Sequence, residues 1–379
     1  MRPFLPLAVL PMLLLAGCAK GPPLLASPRL VTIDHYVPVK STAAGLGGQV
    51  SQLYLREVSM EGAPSPIPSA ERVVLFIHGS GTPAEVSFDV AYRDYSWMRY
   101  LATAGFETFS LSLTGYGRST RPAAMNDACN VLKGLQGQLV PGVIPAACPP
   151  SHPSALSTMD SDWGEIDAVV DHLRKTRAVD RVSIVAWSQG GPRAAGYAAR
   201  KHHKVSRLFI LAPSYVRDGP AGAPSPLPGR DGPVNVQTRE SLTTLWNSQV
   251  GCADQYEPAM LDAVWSEMLA SDPVGAKWSP AVRRAPIVPS YGFNKAVVAN
   301  MITPFAMVTG PHDKQVVPER VRALYEDLGS RDKVLIDLAC SGHNAMWEKN
   351  HLLLFEASHT WLRDGKVNGV RNGQLRLGY

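Results

Sequence analysis

Val182-Ser-Ile-Val-Ala-Trp-Ser188-Gln-Gly-Gly191 is the stretch that decides the fold. Its first six residues are nearly all apolar or β-branched, the composition of a short strand covered on both faces. Small and glycine residues follow at once, so the chain reverses sharply where the apolar run stops, and helical spacing resumes over Gln189–His202. A strand that turns this tightly into a helix lifts the residue at the bend clear of the sheet edge, and that residue is Ser188. The turn needs small neighbours two positions before and two after, here Ala186 and Gly190. The usual pattern has glycine at both; Ala186 adds one methyl group. Taken alone the segment also suits an ordinary helix-capping serine.

Seven further runs of strand character surround it: Leu30–Val39, Gln49–Ser59, Arg72–Gly79, Phe106–Leu113, Arg207–Pro213, Pro304–Gly310 and Lys333–Ala339. Helical periodicity lies between them, over Tyr92–Ala104, Asp160–Arg177, Pro318–Leu328 and Ala345–Trp361. Strands alternating with helices predict an α/β fold, a mostly parallel, eight-stranded doubly wound sheet. Two intervals break the rhythm. Thr120–Met159 is an insertion that holds two cysteines, and residues 214–299 form an interval too long to be a bare loop, so a helical cap is expected there. Its Trp246, Trp265 and Trp278 are candidates either to face substrate or simply to pack the cap. The expected organisation is a core over 30–213 and 300–379 with the cap at 214–299.

The serine has companions at other strand ends. Gly310-Pro-His-Asp313 follows the seventh run and places an acid in the loop leaving it; Cys340-Ser-Gly-His343-Asn344 follows the eighth and places a histidine before the last helix. A parallel sheet gathers such strand ends along one edge, so residues far apart in sequence can meet there. Phe76-Ile-His78-Gly79-Ser80-Gly81 brings backbone N–H groups to the same edge, and Leu113-Thr-Gly115-Tyr-Gly117 ends the fourth run. Elsewhere His35, His202 and His203 lack spaced partners for a metal, and Asp160 and Asp162 stand where they would cap a helix. Gly115-Tyr-Gly117 falls short of a dinucleotide fingerprint. No metal and no cofactor are called for.

With these stations in the order Ser, Asp, His, the chain resembles the α/β-hydrolase family over nearly all of its length beyond the N-terminal leader. The resemblance implies that Ser188 is the nucleophile, His343 the general base and then acid, and Asp313 the residue that orients the imidazole. It also implies that the backbone N–H groups of Ser80 and Gln189 form an oxyanion hole. A non-catalytic binding protein that reuses the fold is the alternative.

The composition fits one large folded unit: 379 residues, 45% hydrophobic and 18% charged. The formal charge is only +5, with the basic residues scattered, which argues against a nucleic-acid partner. Residues 1–17 read as a signal peptide, with an early Arg2, an apolar stretch too short to span a bilayer, and Leu15-Ala16-Gly17 ahead of Cys18. That ending resembles the lipobox of bacterial lipoproteins, which implies lipidation of Cys18, with residues 18–29 as a tether and Ala19 matching members sorted to the outer membrane. The expectation is therefore an exported protein, in the periplasm or at the outer membrane, held by an N-terminal lipid anchor; its oligomeric state is not legible. Cleavage by the ordinary signal peptidase, with a chance cysteine, is the alternative.

Four cysteines remain for an oxidising compartment, and they allow three pairings. Cys129 and Cys148 bracket a loop whose closure favours their pairing, which leaves Cys252 with Cys340; free buried thiols are the other reading.

For the substrate, His78-Gly-Ser-Gly81 is similar to the oxyanion loop of hydrolases that split carbon–carbon bonds between ketones. Together with Trp187 beside the serine, the Trp-bearing cap and the paired-cysteine loop, the chain looks like the bacterial oxidised polyvinyl alcohol hydrolases. That likeness implies cleavage of a β-diketone to a carboxylic acid and a methyl ketone, on a small-molecule or polymer substrate, with Trp187 a candidate to wall the pocket or offer its indole N–H. A lipoprotein esterase or lipase acting on carboxylic esters is the alternative.

Overall fold

The computed structural model describes residues 28–62, 64–152, 154–223 and 231–378. The expected signal peptide, Cys18 and the tether up to residue 27 lie outside the described residues. In chain order the elements are β1 (Arg29–Lys40), β2 (Val50–Glu61), β3 (Val73–Ile77), α1 (Ala84–Phe88), α2 (Trp97–Thr103), β4 (Glu107–Ser112), α3 (Met159–Arg177), β5 (Val182–Trp187), α4 (Gly190–Arg200) and β6 (Val205–Leu211). They continue with β7 (Val234–Thr238), α5 (Arg239–Asn247), α6 (Pro258–Ala270), β8 (Val282–Pro286), α7 (Lys295–Val298), β9 (Phe305–Thr309), α8 (Pro318–Asp327), β10 (Lys333–Leu338), α9 (His351–Asp364) and β11 (Gly373–Leu377).

The main sheet runs β1-β2-β4-β3-β5-β6-β9-β10-β11. Pairings of β1 with β2 and of β2 with β4 are antiparallel, and the rest are parallel. It therefore has nine strands, one more than the sequence predicts. The additional strand, β11, adds to the outer edge of β10, from Val334 opposite Gly373 to Leu338 opposite Leu377. Gly373-Gln-Leu-Arg-Leu is short and alternates half-buried with exposed positions, so its own pattern is weak and the edge of β10 induces the strand. Central strands β3, β5 and β9 are buried at every position, in keeping with their apolar runs.

Helices cover both faces. On one, Trp97 of α2 stacks on Phe355 of α9 with ring centroids 5.2 Å apart, and its indole donates to Ser358 at 2.8 Å. On the other, α3 and α4 pack together, and the Trp163 indole donates to the Pro192 carbonyl at 3.1 Å. Helix α3 is capped by Thr158 with Ser161 in a reciprocal box, not by Asp160 or Asp162. Those acids lie two and four residues past the cap; Asp160 accepts from the Tyr291 hydroxyl, and Asp162 turns into the protein.

The two interruptions of the sequence build one layer. In residues 214–299, β7 and β8 pair as a small antiparallel sheet beside α5 and α6, an element absent from the helical cap expected there. The 120–159 insertion folds as short 3-10 turns against that sheet, and Met125, Val131, Leu139 and Leu156 share a separate apolar core with Val234, Val236 and Val282. Two buried groups pin this layer: Asp272 and Arg284 form a doubly hydrogen-bonded ion pair. Disulfides join Cys129 to Cys148 and Cys252 to Cys340, with Cα separations of 5.3 and 5.8 Å. The second ties the cap to the loop after β10. Among the described residues no helix is long and apolar enough to cross a membrane.

Candidate active site

The strand order reverses between β3 and β5: β3 leads outward to β4, while β5 leads the other way to β6. Loops leaving adjacent strands at such a point diverge and leave a crevice at the strands' C-terminal ends. Ser80 lies in the loop after β3, and Ser188 lies directly after β5. Ser188 adopts φ 57°, the left-handed conformation that a non-glycine residue holds at a cost of about 1–3 kcal/mol. Its own N–H donates to the Leu211 carbonyl at 2.9 Å, and its carbonyl accepts from Gly191 at 2.8 Å and Ser214 at 3.0 Å, so the bend is held from both sides. A Cβ at Gly190 would stand 2.6 Å from the Ile77 carbonyl oxygen and 3.0 Å from the Ala186 methyl. The bare Gly190 thus makes room for the methyl by which this bend departs from the usual pattern.

Three side chains named from distant stretches meet here. His343 Nε2 lies 2.9 Å from Ser188 Oγ, and its Nδ1 lies 2.8 Å from Asp313 Oδ2. Asp313 accepts the N–H groups of Gln315 and Val316 through its other oxygen, both at 2.8 Å. A buried carboxylate beside Nδ1 puts the ring proton there and leaves Nε2 free to accept the serine proton. Asp313 and His343 are buried, while Ser188 is partly open.

The imidazole loop is clamped from the cap. Gln249 Oε1 accepts the His343 N–H and the Lys314 N–H, each at 3.2 Å, so one side chain ties the histidine loop to the aspartate loop. The indole of Trp187 donates to the His343 carbonyl at 2.8 Å. The indole N–H, considered as a substrate contact, is thus already engaged with the histidine loop, and Trp187 itself is 4% exposed. Trp246, also a candidate to face substrate, is wholly buried and donates to Glu348 at 3.0 Å. Trp265 is buried too, and Trp278 lies beside the Arg284 guanidinium.

Glu348 receives Gly342 N–H at 2.6 Å and Gln255 Nε2 at 3.1 Å besides the indole. Burial is the dominant effect and raises its carboxyl to about 7; the three donors oppose the rise, and the Asp313 charge adds to it. Its folded value exceeds the ordinary 4.5, so the stability this group contributes is complete below pH 4.5 and is lost as pH rises through about 7. The loss is on the order of 3 kcal/mol. Glu348→Gln is expected to remove that slope from thermal melts taken between pH 4.5 and 8. It should also lower Tm overall, because an amide N–H2 would face N–H donors. A variant whose slope matches the native protein's contradicts the assignment.

The loop after β3 is shaped from below. His78 is wholly buried; its Nδ1 donates to the Gly79 carbonyl at 2.7 Å, and its Nε2 accepts the Leu113 N–H at 3.2 Å. Burial, then the charge of Arg193, push its pKa well below the usual range, so it stays neutral. Arg193 donates to the carbonyls of His78 at 3.2 Å and Gly79 at 2.8 Å, and to Asp162 at 2.7 Å. In a trans peptide the C=O and the next N–H point opposite ways. Gripping the Gly79 carbonyl therefore aims the Ser80 N–H away from Arg193. A Cβ on Gly79 would come within 2.9 Å of the Ser188 Cβ, so this peptide lies hard against the serine. Among the described residues neither the Ser80 nor the Gln189 amide has a protein acceptor, and Gln189 opens α4 with its side chain tied to the Val288 carbonyl at 2.9 Å.

Arg193, Gln249 and Glu348 carry no sequence signal of their own. Asp162 was visible, but as a cap.

Three solved structures show the same architecture. A serine hydrolase from the polyaromatic-hydrocarbon-degrading Cycloclasticus zankles is 13% identical with a TM-score of 0.51, covering 88% of this chain and 99% of that one. A bromoperoxidase from Bacillus anthracis gives 14% and 0.51, covering 87% and 99%. A thermophilic esterase from Thermogutta terrifontis gives 15% and 0.50, covering 87% and 98%. At these identities the likeness speaks for the fold. No curated protein matches the sequence. The model of the alpha/beta hydrolase fold family matches residues 72–350, from the start of β3 to the start of α9, and so takes in the serine bend and the loops that carry Asp313 and His343. The chain belongs to the α/β hydrolase fold family.

Proposed function

We propose that the chain is an exported serine hydrolase that works through an acyl-enzyme, and that its substrates are β-diketones such as those of oxidised polyvinyl alcohol. The observation that carries the hydrolase reading is the unbroken relay from Ser188 Oγ through His343 to Asp313, beside the Ser80 and Gln189 amides, which have no protein acceptor among the described residues. Ser188 Oγ attacks one ketone carbon while its proton passes to His343 Nε2. The Ser80 and Gln189 N–H groups receive the alkoxide, each contributing about 2.7–4 kcal/mol. Collapse breaks the carbon–carbon bond, and its electron pair leaves as an enolate that takes the proton from His343 at carbon. Water deprotonated by His343 then attacks the acyl carbon and frees Ser188. One diketone and one water give one carboxylic acid and one methyl ketone.

The His78–Gly81 loop supports the diketone choice. A signal peptide and a lipid on Cys18 would set the enzyme at a membrane surface outside the cytoplasm, where a polymer too large to enter the cell is met. The same relay suits a carboxylic ester, whose alkoxide would take the His343 proton instead. The deciding experiment assays mature protein on nonane-4,6-dione and on p-nitrophenyl butanoate side by side. Turnover of the diketone is expected; fast ester hydrolysis with no diketone cleavage establishes the esterase reading instead.

A further inference from the structure

Arg283 sits on β8, opposite Gln237 of β7, and its Nε donates to the Gln237 side-chain oxygen at 2.6 Å. From there its guanidinium reaches the loop after β3. Gly81, one residue beyond Ser80, holds φ 84°, and a Cβ added to it would overlap the guanidinium at 1.7 Å from Nη1. A side chain at position 81 would expel the arginine, so the bare glycine is its seat. The other deeply placed arginines of this region are neutralised: Arg193 by Asp162 and Arg284 by Asp272. Arg283 is not. Among the described residues no carboxylate lies within ion-pairing distance, and Nη1 and Nη2 have no hydrogen-bond acceptor. The guanidinium is half-buried, with Nη1 and Nη2 open at the protein surface and free to donate to an incoming acceptor. Crowding by the protein pushes its pKa down only to about 10, so it is charged at neutral pH.

We infer that Arg283 is a substrate-binding residue that receives a second, delocalised oxyanion of the substrate, next to the carbonyl that Ser188 attacks. The planar fork suits two oxygens, or one oxygen sharing charge with carbon, better than it suits an alcohol. Two sources offer that chemistry. One is the enolate oxygen released when a β-diketone is cleaved, which rests on the function proposed above and would explain a preference for diketones over esters. The other is a carboxylate carried by the substrate.

The test uses mature protein and the variants Arg283→Gln and Arg283→Lys, with thermal melts to establish that each is folded. Two selectivity ratios in kcat/KM are read: nonane-4,6-dione over p-nitrophenyl butanoate, and mono-p-nitrophenyl glutarate over p-nitrophenyl butanoate. Arg283→Gln is expected to lower the first ratio about 10- to 100-fold, with partial recovery in Arg283→Lys. A fall confined to the second ratio assigns the site to a substrate carboxylate and supports the inference. If neither ratio moves, Arg283 does not bind a substrate oxyanion and the inference is overturned. Should the native protein cleave esters but no diketone, the diketone reading fails while the second ratio still decides Arg283. A binding measurement without turnover adds to this: Ser188→Ala protein mixed with nonane-4,6-dione should develop enolate absorbance at neutral pH, and Ser188→Ala/Arg283→Gln should not.

Discussion

Ser188→Ala is expected to lower kcat on every substrate the protein hydrolyses by about 10⁴-fold or more, with Tm close to that of the native protein. The size follows from what the hydroxyl does. Without it no acyl-enzyme forms, His343 has no proton to take, and only binding and the two amides at Ser80 and Gln189 remain to assist water. The small effect on folding follows from geometry: among the described residues Oγ makes one hydrogen bond, to His343 Nε2, while the bend is held through the backbone of residue 188 and through Gly79 and Gly190 packed against it. Steady-state kinetics on both assay substrates, with melts alongside, check the result. A variant that keeps more than a tenth of the native rate would remove the serine from the chemistry and the proposed function with it.

Asp162→Ala should give the largest loss of stability, about 3–5 kcal/mol. Neither Asp162 nor Arg193 has meaningful access to water, and among the described residues their 2.7 Å contact is the only carboxylate pairing of this guanidinium. Removing the acid leaves a buried cation uncompensated. The same change should reduce kcat, because Arg193 holds the His78 and Gly79 carbonyls and so directs the Ser80 N–H. A double variant separates the two effects. Asp162→Ala/Arg193→Met replaces the pair with apolar groups, so much of the stability should return, yet the carbonyls are no longer held and kcat should stay low. Urea titrations and kinetics at equal folded fraction read both. Recovery of kcat together with stability would reduce Arg193 to a purely structural role.

Much of this layout is legible before any coordinates. The run Val182–Trp187 followed by Ser-Gln-Gly-Gly contains its own strand, bend and helix start, since each depends on residues within a few positions. Asp313 and His343 are legible for a different reason: each follows an apolar run closely, and a parallel sheet leaves the ends of such runs one place to go. The cysteine pairing that the loop spacing favours matches the bonds formed.

Other features depend on partners that no local window contains. Gly373–Leu377 becomes a strand only because β10 has a free edge, and Val234–Thr238 pairs with Val282–Pro286 across 43 intervening residues. Asp162 looks like a cap by position, and only the neighbouring α4 supplies the buried arginine that draws it inward. Gln249, Glu348 and Arg283 are ordinary polar residues in sequence, given consequence by the loops that tertiary packing delivers to them. The sequence by itself determined the alternation of strands and helices, the serine bend and the strand ends that carry the acid and the histidine, because periodicity and turn chemistry act over a few residues. The tertiary structure alone decided which polar groups are buried and what they pair with, because desolvation and hydrogen bonding belong to the assembled interior.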